Sequence, residues 1–223
     1  MQRLFSSIRR QFSDSPLSTF RISCDIPLET TDDPIVLLCP QHLQELLIFR
    51  HLEKVDISGP WSIQTNDNIL RQMAFAWPNL RRLCLYHECY ISQDQEFSSN
   101  ATLQGLMGFA QNCLQLHSLY IELHADGSML PEIALPRPSR CPLQDLEVCC
   151  STTSSKTEVA AFLSYLFPSL TKIEASFNAD YEIEDRQWMK DWSDVDRAVH
   201  AMNYPNDTAA ATVQHTARMD EEM

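Results

Sequence analysis

The spacing of one apolar pattern constrains this chain more than anything else in it. An apolar residue recurs at offsets 0, 3 and 5 in six places: Leu17-Phe20-Ile22, Leu52-Val55-Ile57, Leu80-Leu83-Leu85, Leu116-Leu119-Ile121, Leu143-Leu146-Val148 and Leu170-Ile173-Ala175. The starts lie 35, 28, 36, 27 and 27 residues apart. One triplet is weak evidence, because any half-buried strand alternates in this way. Six copies, three of them at a period of 27 or 28, point to a structural repeat.

The residues ahead of the triplets agree. Counted back from the first leucine, Leu70, Leu106 and Ala160 stand at −10, and Met73, Phe109 and Leu163 at −7. Trp77, Cys113 and Phe167 stand at −3, joined by Phe49. Apolar positions three and four apart make one face of a helix. Pro78 and Pro168 cannot continue that helix and turn the residue before them toward extended backbone. Ser155-Lys156-Thr157-Glu158 reads as a capping box, and Asn66 and Asn100 as N-caps of the two helices before it.

Each unit is therefore a helix and a short strand that cannot bury its apolar stripe alone. Stacked units give an α/β leucine-rich-repeat solenoid, a horseshoe arc with parallel strands on the concave face and helices on the convex face. The apolar offsets point inward. Offsets +2, +4 and +6 then line the concave face: Lys54, Asp56, Ser58; Arg82, Cys84, Tyr86; Ser118, Tyr120, Glu122; Asp145, Glu147, Cys149; and Lys172, Glu174, Ser176. Arg82, Tyr86 and Tyr120 are of the types that most often carry interface energy, so this face is the candidate binding surface. An ordinary solvated strand face is the competing reading.

The ends read as caps. Residues 1–15 hold Leu4, Phe5, Ile8 and Phe12 at helical spacing, among Arg3, Arg9 and Arg10. A short targeting peptide would share this pattern. A capping helix is the better reading, because a stacked array needs its open end covered. The array of about six repeats spans 16–178. Prolines 131, 136, 138 and 142 interrupt 124–142, which is expected to be irregular, and 87–100 reads as an insertion. Residues 179–202 read as a C-terminal capping helix with Trp188, Trp192, Val195 and Val199 on one face. Residues 203–223 have little to bury and read as a disordered tail.

Composition narrows the function. The net charge is −13, which disfavours nucleic acid and anionic membranes as partners. Four glycines in 223 residues leave no phosphate-cradling loop. No apolar run approaches a membrane span, which needs about 18 residues. The eight cysteines form no Cys-x-x-Cys pair and read as reduced thiols of an intracellular protein, cytoplasmic or nuclear. Cys84, His87 and Cys89 lack a second ligand pair for zinc. The acids from Asp180 through Glu182, Glu184 and Asp185 lack the spacing of a calcium loop. No catalytic motif is present, so no enzyme, cofactor or metal is expected.

The runs Phe49-Arg50-His51-Leu52-Glu53-Lys54-Val55-Asp56-Ile57 and Met73-Ala74-Phe75-Ala76-Trp77-Pro78-Asn79-Leu80-Arg81-Arg82-Leu83 carry a likeness. So do residues 160–170 and the tryptophan-bearing helix at 185–199. Over roughly residues 16–200 the chain resembles the C-terminal repeat region of F-box/leucine-rich-repeat-like proteins of mushroom-forming fungi. The resemblance implies repeats that present substrates, and an F-box that docks on the adaptor of a cullin–RING ubiquitin ligase. Two features depart from it. The F-box that the family's pattern expects ahead of the repeats is not read in these 223 residues. Residues 38–49 look superficially like one, but Phe49 falls on the repeat's own −3 position, so they read as a repeat helix. The asparagine or cysteine usual at +8 is replaced by Asp25, Pro60, Glu88, His124 and Ser151, and only Asn178 matches. The expected role is a protein-binding module, with an adaptor as partner only if an F-box lies upstream. A stand-alone or truncated scaffold is the alternative.

Overall fold

The computed structural model describes residues 1–24, 36–59, 61–87, 99–130, 138–149, 151–175 and 187–205. For Val36, Tyr86, His87 and Met129 it describes the backbone only. The chain runs α1 (Gln2–Phe12), β1 (Thr19–Ser23), β2 (Val36–Leu38), α2 (Pro40–Gln44), β3 (Lys54–Gly59), β4 (Trp61–Ile63), α3 (Asp67–Ala76) and β5 (Arg82–His87). It continues with α4 (Leu103–Asn112), β6 (Ser118–Tyr120), β7 (Ala125–Asp126), β8 (Asp145–Glu147), β9 (Thr153–Ser154), α5 (Lys156–Leu166), β10 (Lys172–Glu174) and α6 (Gln187–Asn203).

The protein is α/β, with one parallel sheet of six strands in the order β1-β3-β5-β6-β8-β10. Phe20, Val55, Leu83, Leu119, Leu146 and Ile173 pair across the whole sheet. These are the six +3 residues of the triplets, so the sequence period is also the register of the sheet. A one-residue slip would turn every leucine to the other face. The start of each strand repeats one device. The carbonyls of Ser18, Glu53, Arg81, His117 and Gln144 each accept two N–H groups from the next unit, at 2.7–3.3 Å.

The helix ends repeat as well. Trp77, Cys113 and Phe167 leave the helix with φ of −122°, −103° and −131°. Their N–H groups still reach Met73, Phe109 and Leu163, while their carbonyls accept from Leu80, Leu116 and Leu170. All three side chains are fully buried. Phe49, also buried, offers its carbonyl to Leu52 in the same way. Residues 38–49 hold only the short α2 followed by turns.

Two of the three expected helix starts differ. Asn66 does cap α3, accepting from Ile69 N–H at 2.9 Å. Helix α4 is capped by Thr102 instead of Asn100. The Thr102 hydroxyl oxygen accepts from Gln104 N–H, and Asp67 accepts from both the backbone N–H and the hydroxyl of Thr102, at 2.7 and 2.8 Å. Asn100 stands two residues earlier and bridges to Asn66. The box at Ser155 does not form. Ser155 sits in the left-handed region at φ 50°, where its side chain makes no cap bond. A capping side chain needs extended backbone to reach N3.

Behind the sheet, β2–β4 and β7–β9 make two short parallel ladders, extended by the bridges Asn66–Asn100 and Thr102–His124. Buried hydroxyls tie this layer together. Ser99 Oγ lies 2.8 Å from Thr65 Oγ1, donates to the Glu122 carbonyl and accepts from Ala101 N–H. Ser151, at the +8 position, accepts from Leu123 N–H at 2.8 Å and donates to the Val148 carbonyl. Buried backbone groups need such partners.

Helix α6 covers α5 and β10 with Trp192, Val195 and Val199 buried. At the other end Phe5 of α1 is fully buried against Phe20, while Leu4 and Phe12 stay exposed. No helix among the described residues is long and apolar enough to cross a membrane. The acidic run at 180–185, Cys89, most of the 87–100 insertion and residues 206–223 lie outside the described residues.

Candidate interaction surface

Strand alternation builds the surface. Along β3, Lys54 is exposed, Asp56 and Ser58 are half-buried, and Val55 and Ile57 are fully buried. The parallel register then aligns two rows on the outer face, with neighbours about 4.8 Å apart. One row is Lys54, Arg82, Ser118, Asp145 and Lys172. The other is Asp56, Cys84, Tyr120, Glu147 and Glu174. Arg21 of β1 extends the second row and pairs with Asp56 at 3.7 Å.

Arg82 and Tyr120 meet at the centre. The guanidinium lies 4.3 Å from the ring centroid, and its Nη1 donates to the tyrosine oxygen at 3.2 Å. At a partly exposed site a cation–π contact stabilises by about 0.5–1 kcal/mol. Two rotamer-rich side chains are thus held before any partner arrives, which lowers the ordering cost of binding.

Charge is divided along the face. Toward β1 stand Arg21, Lys54 and Arg82 against Asp56. Toward β10 stand Asp145, Glu147 and Glu174 against Lys172. Tyr120, Asp145, Leu146, Glu147, Lys172 and Glu174 line a small cavity of about 150 Å³ there. Lys172 Nζ pairs with Glu174 at 2.7 Å, and Ser118 Oγ donates to Asp145 at 3.4 Å. Burial, and then the charge of Glu174, raise the Glu147 pKa.

Three predicted residues are not accessible. Cys84 lies in the row but is buried at 6% exposure beneath its neighbours. Burial, with Asp56 next to it, pushes its thiol up to about 12. It stays protonated at neutral pH and is a poor nucleophile. Glu122 is also buried at 6% exposure. Strand β6 ends at Tyr120, so alternation has stopped before +6 is reached. Cys149, at +6 after β8, is buried too, with φ 43°. The backbone of Tyr86 pairs with Ser58, but its side chain lies outside the described residues, as does Ser176.

Two histidines make local contacts. His42 Nδ1 accepts from Cys39 N–H at 2.9 Å, and His117 Nδ1 sits 2.6 Å from the Gln115 carbonyl. Among the described residues no group of three or more His, Cys, Asp or Glu side chains is arranged to hold a metal ion. Cys24, Cys39, Cys84, Cys113 and Cys141 are free thiols. The chain matches no protein-family model and no curated protein.

Proposed function

We propose that the protein is a non-catalytic binding module: a leucine-rich-repeat solenoid that recognises a protein partner through the outer face of its parallel sheet. The observation that carries this reading is the six-strand register. It aligns polar side chains at the repeat's +2 and +4 positions into two rows, with the Arg82–Tyr120 pair at their centre. The divided charge favours a partner segment whose acidic part lies toward β3 and β5 and whose basic part lies toward β8 and β10. The resemblance to F-box/leucine-rich-repeat-like proteins supports a substrate-receptor role in a cullin–RING ubiquitin ligase. Free thiols fit an intracellular location.

Affinity capture from cells with mass spectrometry tests both parts. The bait is the wild-type chain, and the control is the double variant Arg82→Ala, Tyr120→Ala. Specific partners should be recovered by the first and lost from the second. Recovery of the same set by both would remove the sheet-face assignment. An in-frame F-box upstream of Met1 would support the ligase role; its absence, together with recovery of partners without any ligase adaptor, would remove that role and leave a scaffold.

A further inference from the structure

A second surface lies on the helix side. A cleft of about 530 Å³ crosses three consecutive units. Leu47 and Arg50 come from the turns after α2, Arg71 and Phe75 from α3, and Gln111 and Asn112 from the end of α4. Two of the helices that line it, α3 and α4, approach each other closely through glycines. A Cβ on Gly108 would stand 3.2 Å from the Arg71 Cα, and one on Gly105 would stand 2.7 Å from Leu70 Cδ1.

Phe75 is 72% exposed, the highest value among the large apolar side chains of the described residues. It gains nothing for the fold there. The only charged side chains lining the cleft are Arg50 and Arg71. Neither is in an ion pair among the described residues, a condition shared by Arg3, Arg10 and Arg140, so both guanidiniums are available to a ligand. The cleft thus carries two cations and no anion beside an exposed ring, in a chain of net charge −13. Most of such a surface repels an anion, so a local pair of cations sets where an acidic partner is drawn. The ring and Leu47 supply the apolar part. Nucleic acid fits less well, because two cations give few phosphate contacts against a strongly negative whole.

We propose that this cleft docks an acidic peptide segment carrying a large apolar side chain, with the apolar group against Phe75 and carboxylates on Arg50 and Arg71. This site is separate from the sheet face and does not depend on that reading.

The test is fluorescence anisotropy with the full chain and two fluorescein-labelled peptides, Glu-Asp-Leu-Phe-Glu-Asp and Lys-Lys-Leu-Phe-Lys-Lys. The acidic peptide should bind saturably and more weakly as salt rises. Phe75→Ser, and the double variant Arg50→Glu, Arg71→Glu, should each weaken it at least about tenfold. Because these side chains line an open cleft, both variants should keep the wild-type melting temperature, and a variant that does not is replaced by Phe75→Leu or Arg71→Gln. Arg82→Ala with Tyr120→Ala should leave this binding unchanged. The proposal is overturned by no saturable binding, by equal binding of the basic peptide, or by displacement of the acidic peptide with a single-stranded oligonucleotide.

Discussion

Leu83 and Cys84 are neighbours on β5 and illustrate what residue-scale reading can and cannot do. The inward position of Leu83 follows from the repeat period, and the side chain is fully buried in the register predicted for it. The outward position of Cys84 follows from the same period, yet it is covered by longer neighbours. Alternation gives direction, and exposure depends on what stands alongside. Leu83→Asp, or Leu119→Asp, places an unpaired charge in the shared core and should cost more than about 4 kcal/mol. Urea unfolding with a wild-type midpoint in either variant would show the register to be wrong. Glu147 gives a pH prediction. Its folded pKa is raised, so the folded state holds the proton longer than the unfolded state does. Its contribution therefore favours the fold at acid pH and is lost as pH rises through the window between the unfolded and folded pKa values. Glu147→Gln should raise the melting temperature at pH 7 and have no stabilising effect once the wild-type carboxyl is protonated. Thermal melts across that window check the sign.

At the scale of elements, the helix ends were legible, whereas of the three expected starts only that of α3 at Asn66 held. Each end is fixed by a bulky or buried residue at −3 and by the strand that must follow, so the signal is strong and local. A start is decided by which of several polar residues has the right backbone and a neighbour to hold it. Asn100 and Thr102 both qualify by type. Thr102 is chosen because Asp67, one unit earlier, grips its N–H and hydroxyl. That contact crosses 35 residues and has no sequence signature. Thr102→Ala should therefore cost about 1–2 kcal/mol, a lost cap plus the lost hydroxyl contact to Asp67. Asn100→Ala should leave the α4 cap intact and cost clearly less. Comparable losses in chemical denaturation would return the cap to Asn100. The buried hydroxyls were missed for a similar reason. Ser99 lies within the stretched third unit, where the repeat offsets no longer locate it. Ser99→Ala should cost about 1–3 kcal/mol, because Glu122 C=O and Ala101 N–H lose a buried partner.

For the whole molecule, strand order equals chain order, so each strand is hydrogen-bonded only to the units before and after it. The sheet then has two edges, β1 and β10, and an uncovered edge invites pairing with another chain. The β10 edge is closed by α6. Asp196 accepts from Ile173 N–H at 2.7 Å, and Asn203 donates to the Phe167 and Leu170 carbonyls at 3.3 and 3.2 Å. Lys156 of α5 reaches Asp191 and Asp194, and Trp192 donates to the Ser151 carbonyl at 2.9 Å. Trp192 is the anchor, being fully buried and joined to the hydroxyl layer through Ser151. Its helical face was visible in the sequence, but the carboxylate on the strand edge was not. Trp192→Ala should cost about 3–5 kcal/mol, the range for losing a large buried aromatic. Asp196→Ala should cost only about 1 kcal/mol, because an edge N–H can turn to water. Where the loss is felt discriminates more sharply than its size. With contacts limited to neighbouring units, hydrogen exchange in the Trp192 variant should quicken first in α6, β10 and α5. The protection of β3 and β5 should persist until global unfolding. Equal acceleration in β3 and β5 would mean that the sheet opens as one body and that α6 stabilises all of it at once.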